Sequence, residues 1–299
     1  MKKIIFAFVF FILTTITVNA KETLQYVLAG SPSGTFNSYN AELIKDLNEY
    51  YNVVTIPGQS EVKGGRIYES INKGAVFVMV RSGLLNGRSK SSGSKAAIST
   101  IDKNFLIMGI RYYKALCILP GRNVSETVLS EGNTLKIGLD DGVKVGNKFV
   151  DNLNRVTNSQ NIFVPFRGSG KNVQGIITGD TDVGLINEAK AAKFIASGQI
   201  SCDLSTNPNG GNGFKSLKSQ LNDDWFGWEY GNLILGQVKN VDKEFAKELH
   251  ATILKIYQDP NSNASKRLKK NGWFGLTIEQ DELFDAYQEN FDHTIKLLK

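Results

Sequence analysis

Apolar and polar positions along the chain follow two alternating rhythms, one of strands and one of helices. "LQYVLAG" reads as a buried strand ending at Gly30, and "SPSGT" follows it as a tight polar loop. From Asn37 to Tyr51 the apolar residues Leu43, Ile44, Leu47, Tyr50 and Tyr51 share one helical face. "NVVTIPG", "GRIYESINKG" and "AVFVMV" then read as strand, helix and strand. A polar Ser/Gly/Lys-rich loop over Asn86 to Ser99 separates these from strands in "FLIMGIRYYKALCILPG". A second alternation runs through "LKIGLDD", "QNIFVPF", "DVGLI" and "QISCDL", with a helix over Ala189 to Ala196 among those that fill the gaps. After the heavily punctuated "TNPNGGNGF" comes one more strand, "NLILGQV". Two helical stripes close the chain: Phe245, Leu249, Ile253 and Ile256, then Leu283, Phe284, Tyr287, Phe291 and Ile295. Thr277 and Gln280 are spaced as a capping box for the second.

Strands alternating with helices predict an α/β fold with parallel sheets and crossover helices. The interruption in the middle and the return strand near the end predict two lobes. The chain is expected to pass into the second lobe near Leu119 and back near Trp228. The expected division is residues 1–20, 21–119, 120–227 and 228–299, the second and fourth segments forming one lobe.

The first twenty residues, "MKKIIFAFVFFILTTITVNA", alter this picture by setting a compartment. Lys2 and Lys3 form a basic start, Ile4 to Val18 an apolar core, and Val18-Asn19-Ala20 a small-residue cleavage site. An exported protein cut after Ala20 is expected. Without Lys2 and Lys3 the basic count falls from 35 to 33 against 29 acids, a net charge of +4. That balance suits anions but is too dispersed to argue for nucleic acid. Export permits a disulfide between Cys117 and Cys202. Their spacing shows no framework pattern and both lie in apolar runs, so two buried thiols are the expectation.

Signatures of catalysis are sparse. The two histidines, His250 and His293, fall in separate C-terminal helices, and neither H-E-x-x-H nor C-x-x-C occurs. "GSPSG" fails as a nucleophile elbow because Pro32 holds the position of the serine. "GSGK" at Gly168 to Lys171 fails as a phosphate loop: Pro165 stands where the first glycine belongs, and Asn172 follows the lysine. What survives is either a plain glycine-rich strand-to-helix turn or a turn that binds an anion. Gly168 and Gly170 let backbone N–H groups approach a ligand at a helix N-terminus, and Ser169 adds a hydroxyl. "SPSGTFN" offers a comparable turn earlier, with Ser33, Thr35 and Asn37 as donors and Gly34 as the bend. Two such helix ends facing across a cleft could hold the two ends of a small carboxylate. No cofactor and no metal are called for.

"VPFRGSGKNVQGIITGDTDVG" has a Val-Pro-aromatic-basic-Gly-Ser-Gly turn, a helix, then Gly-x-x-Asp-Val. It resembles the extracytoplasmic solute receptors of tripartite tricarboxylate transporters, the Bug-type proteins. "KAAKFIASGQISCDLST" and "KIYQDPNSNASKRLKKNGW" are similar to later parts of the same family, and the resemblance covers nearly all of the chain beyond Ala20. It implies a two-lobed periplasmic-binding-protein fold of the Venus flytrap, type II-like kind, with a ligand cleft between lobes that close on a hinge. It also implies a monomeric periplasmic protein, without enzymatic activity, that delivers a small organic acid to membrane permease subunits. Carried over by residue, it places ligand contacts at Ser33, Gly34, Thr35, Phe36 and Asn37, at Gly168, Ser169 and Gly170, and at Asp182. "IPGQSE" matches the family's second Pro-Gly turn only at Pro57 and Gly58. Phe36 stands where the family's first loop carries Asp, which argues against an amino-acid ligand. "NPNGGNGFKSLKSQ" departs from the family's Pro-Thr-x-x-Glu pattern and leaves the return crossover open. The alternatives are a receptor of a TRAP-type transporter, a sensor lobe serving a membrane kinase, and a secreted hydrolase with Ser169 as nucleophile.

Overall fold

The computed structural model describes residues 21–28, 35–58, 61–72, 74–80, 101–140, 143–166, 168–211, 213–226 and 233–298. Residues 1–20, where the export signal is expected, the loop over Asn86 to Ser99 and Trp228 lie outside the described residues. Two six-stranded sheets organise the described residues.

The first sheet begins with β1 (Thr23–Leu28), α1 (Thr35–Leu47), β2 (Asn52–Pro57), α2 (Glu61–Ser70) and β3 (Ala75–Val80), then β4 (Leu106–Tyr112). The second comprises β5 (Lys114–Ile118), α3 (Val124–Leu129), β6 (Lys136–Leu139), α4 (Val143–Thr157), β7 (Ile162–Pro165), α5 (Ser169–Thr178), β8 (Val183–Asn187), α6 (Glu188–Ala196), β9 (Ser201–Ser205), β10 (Lys215–Ser216) and α7 (Leu217–Leu221). The chain returns with β11 (Leu233–Lys239), α8 (Lys243–Gln258), α9 (Asn263–Asn271), β12 (Trp273–Gly275) and α10 (Gln280–Leu298).

Read across, the sheets run β2-β1-β3-β11-β4-β12 and β7-β6-β8-β5-β9-β10. In each, three parallel strands meet one antiparallel strand contributed by the crossing chain: β11 beside β3, and β5 beside β8. The lobes therefore share one topology, and each lends the other its fourth strand.

Period-two alternation decides which face each side chain buries. In β1, Leu24 and Tyr26 join the core beneath α1, α8 and α9, while Val27 joins a second core with Tyr68 of α2 and Leu283 and Tyr287 of α10. In β5, Leu116 and Ile118 face α3 and α4, and Ala115 and Cys117 face α5 and α6. Each lobe is thus a sheet with helices on both faces.

The first crossover falls earlier than the apolar pattern suggested. β5 belongs to the second sheet, so the chain changes lobe between Tyr112 and Lys114, not near Leu119. The sequence hides this because β4 and β5 form one apolar run. The capping box also shifts by register: the Glu279 N–H donates to Glu282 Oε2 at 3.0 Å, and Gln280 instead donates to the Leu106 carbonyl at 2.8 Å.

The two cysteines are bonded, against the expectation of free thiols. They lie 85 residues apart in sequence, but β5 and β9 are sheet neighbours and the register sets Cys117 directly opposite Cys202. No spacing rule could reveal a pair that strand pairing alone brings together. Among the described residues, no helix is long and apolar enough to cross a membrane.

Candidate ligand site at the lobe crossover

Strand direction locates the site. Lys114, the first residue of β5, pairs with Asn187, the last of β8, so the crossover lies at the carboxyl ends of the second sheet's parallel strands. β4 runs parallel to β1 and β3 through the antiparallel β11, so its last residue, Tyr112, marks the carboxyl ends of the first sheet. Helices springing from both sets of strand ends start near the crossover, where open α/β sheets bind ligands.

On the second lobe, Gly168 caps α5 with φ 91° and offers no side chain to the helix end. That positive φ favours glycine, which turns the chain sharply from β7 into the helix. The Gly168 carbonyl accepts from the N–H groups of Lys171 and Asn172, at 3.1 and 3.3 Å. The N–H groups of Ser169 and Gly170 point out of the first turn, where the helix dipole adds its positive end. Buried Asn172 fixes this turn on the sheet, its Nδ2 donating to the carbonyls of Gly138 and Leu185 at 2.9 and 3.1 Å. A Cβ on Gly170 would stand 3.5 Å from the Lys190 ammonium, which forms no ion pair among the described residues. Helix end and cation together make a positive patch.

A second group of residues lies behind it. Lys114 Nζ sits 2.6 Å from Asp140 Oδ1, both side chains largely buried, and the Ser169 hydroxyl donates to Asp140 Oδ2 at 2.7 Å. Burial opposes the charge on Asp140, but the Lys114 ammonium and the hydrogen bonds from Lys114 and Ser169 outweigh it and hold the carboxyl below its usual range. Glu188 is likewise buried and accepts from Ser205 Oγ. The strand start is pinned as well: the Lys114 N–H donates to Thr206 Oγ1 at 3.1 Å, and the Thr206 N–H to the Lys114 carbonyl at 2.9 Å.

The expected site residues thus separate into groups. Gly168, Ser169 and Gly170 stand together at the crossover, although the Ser169 hydroxyl is already committed to Asp140. Thr35, Phe36 and Asn37 open α1 on the first lobe; Asn37 is buried, and Phe36 packs against both first-lobe cores. Ser33 and Gly34 lie outside the described residues. Asp182 does not belong to the group. Its Oδ2 accepts from the Lys136 N–H at 2.8 Å, at the start of β6, the end of the sheet opposite Asp140. Four strand steps of about 3.3 Å separate the two levels. Asp182 closes the far end of the β6–β8 pair.

The two turns are also not counterparts. α1 follows β1 as α4 follows β6, and α5 corresponds to α2. A shared hydrogen bond marks the true pair: the Gly58 N–H donates to Leu28 O at 2.9 Å, and the Phe166 N–H to Leu139 O at 2.8 Å. Pro57-Gly58 is therefore the first-lobe equivalent of Pro165-Phe166, where the turn that leads to Gly168–Gly170 begins.

Lys114, Asp140 and Lys190 escaped the sequence reading. A lone lysine within the apolar "RYYKALCIL" and an acid closing "KIGLD" were the available signals. His250 offers Ser169 no base: it belongs to the first lobe, where its ring nitrogens lie 2.9 and 3.0 Å from the carbonyls of Ile107 and Ile278. Among the described residues no group of three or more His, Cys, Asp and Glu could hold a metal.

The fold is that of periplasmic solute-binding proteins. The chain is similar to a TctC solute binding protein from Polaromonas, with TM-score 0.66 and 12% identity over 92% of this chain and 96% of that one. It is similar to an R. palustris protein solved with adipate, with TM-score 0.67 and 14% identity over 92% and 96%. It is also similar to MatC from Rhodopseudomonas palustris with bound malate, with TM-score 0.61 and 14% identity over 93% and 99%. No family model matches the chain, and no curated protein matches it in sequence. At these identities the likeness is one of fold.

Proposed function

We propose that this chain is an extracytoplasmic receptor of the Bug type, which captures a small organic di- or tricarboxylate between its lobes and delivers it to the permease of a tripartite tricarboxylate transporter. The observation that carries the reading is the uncapped start of α5 at Gly168–Gly170 with the Lys190 ammonium beside it, at the crossover of a two-lobed fold. A carboxylate there meets backbone donors, a dipole end and a cation. Charge-assisted hydrogen bonds contribute about 1.5–3 kcal/mol each, so three or four suffice for the roughly 8 kcal/mol of a micromolar site. The adipate and malate held by two proteins of this fold support the ligand class. The leader through Ala20 supports export to the periplasm.

The protein acts as a monomer and performs no chemistry. Ser169 donates to a carboxylate held ionised by Lys114, an arrangement that orders the turn and gives the hydroxyl no free base. Closure of the lobes on the Tyr112–Lys114 crossover and its return partner would sequester the acid.

Thermal denaturation in the presence of mono-, di- and tricarboxylates tests the reading. A bound acid at a hundred times its Kd adds about 2.7 kcal/mol, a rise in Tm of about 5 °C or more. Stabilisation by di- or tricarboxylates and none by neutral analogues is the expected result; a flat response to every acid overturns the reading.

A further inference from the structure

Trp273 lies at the cleft end of the first lobe. It opens β12 and pairs with Tyr112, the last residue before the crossover. Its ring packs against Tyr39 and Tyr112, with centroids 5.9 Å away in each case, and against Phe36 in the first turn of α1 at 6.5 Å. α9 carries it there. Asp46 near the end of α1 caps the start of α9, so the two helices run antiparallel, and α9 ends beside the beginning of α1.

The joint between α9 and β12 also touches the second lobe. Gly272, with φ 61°, approaches Ala189 so closely that a Cβ would stand 2.7 Å from the alanine methyl. Ala189 is the second residue of α6, one before Lys190. Phe274 packs on Tyr113 of the crossover, centroids 6.1 Å apart. One short segment therefore meets both halves of the site.

Two buried donors flank that glycine and have no acceptor among the described residues. Trp273 is 8% exposed and its Nε1–H is unpartnered; Asn271 is 9% exposed and its Nδ2 is unpartnered. A buried donor without an acceptor carries its full desolvation penalty, and such groups are few in folded proteins. Both are neutral, so an acceptor oxygen suits them and a cation does not. The rings of Phe36 and Tyr112 that pack on Trp273 suit methylene groups.

We infer that Trp273 is a specificity-determining residue: its indole N–H donates to an acceptor oxygen at the end of the ligand remote from Gly168–Gly170, and its ring packs on the ligand's apolar middle. The inference rests on the receptor reading above. It selects acids whose methylene chain ends in a second carboxylate.

The test compares Trp273→Phe with wild type. The probes are succinate, malate and adipate, against butyrate, 3-hydroxybutyrate and hexanoate, each of which lacks one carboxylate. Wild type should favour the tightest diacid over its monoacid counterpart by at least about tenfold, the size of one hydrogen bond to a charged group. The variant should lose roughly that factor for the diacid, leave the monoacid unchanged, and melt at or above the wild-type temperature. Equal diacid affinity in variant and wild type overturns the inference and leaves the receptor reading standing. Wild type that binds none of the six overturns the inference, and it overturns the receptor reading as well if the tricarboxylates of the thermal screen also leave the Tm unmoved. Should the variant fail to fold, wild-type protein labelled with 15N-tryptophan decides: the Trp273 indole resonance shifts on adding the tightest diacid, and an unmoved resonance overturns the inference.

Discussion

Replacing Lys114 by methionine is expected to cost about 3–5 kcal/mol of folding stability, the penalty for stranding one member of a buried ion pair. The ammonium lies 2.6 Å from Asp140, and removing it leaves a buried carboxylate whose partners among the described residues are the Ser169 hydroxyl and local backbone. The defect should depend on pH in a definite sense. Asp140 titrates below its usual range in the folded protein, so its contribution is present above the unfolded pKa and lost as pH falls through the folded value. In the variant, burial unopposed by Lys114 raises the carboxyl, which takes up a proton more readily. The gap between wild type and variant should therefore be widest near pH 7 and narrow as pH falls toward 4. Urea denaturation at both pH values measures it. The double variant Lys114→Met, Asp140→Asn should recover much of the loss, because neither partner is then left charged and alone. A constant gap at both pH values would show that the lysine acts by packing its stem.

Gly170→Val is expected to weaken carboxylate binding by about a hundredfold, roughly 2.7 kcal/mol. Even a bare Cβ here would meet the Lys190 ammonium at 3.5 Å, and the two further methyl groups of valine would crowd the cation and cover the N–H groups of the first turn. Lys190→Met should lose about tenfold, the value of one charged partner, with the backbone donors intact. Gly170 is exposed and Lys190 half-buried, so both variants should melt within about 2 °C of wild type. Calorimetric titration with the best acid from the thermal screen gives both numbers. Ser169→Ala is the informative control. Its hydroxyl serves Asp140, so its effect should be smaller than that of Gly170→Val and should accompany a loss of stability.

How much of this was legible in sequence follows from what local pattern can carry. The alternation of "LQYVLAG", "NVVTIPG" and "AVFVMV" with helical stripes records burial along one strand or helix at a time, and β1, β2 and β3 form there. The turn at Gly168–Gly170 was visible because glycine and a strand-to-helix change are local signals. Sheet order is not local. Cys117 meets Cys202, and Lys114 meets Asp140, only because β5 enters the second sheet between β8 and β9. The run "RYYKALCIL" conceals the crossover because two strands of different lobes share one apolar stretch, interrupted only at Tyr113. Asp182 misled for the same reason: it follows the turn helix closely in sequence, but a helix and a strand start carry it to the opposite end of the sheet.

The central claim is that the start of α5 holds a carboxylate between the lobes, and a crystal structure of the complex with the tightest-binding acid tests it most directly. The account predicts one carboxylate with its oxygens about 2.7–3.2 Å from the N–H groups of Ser169 and Gly170 and within reach of Lys190 Nζ. An acid bound elsewhere, with those N–H groups turned to solvent, would contradict it.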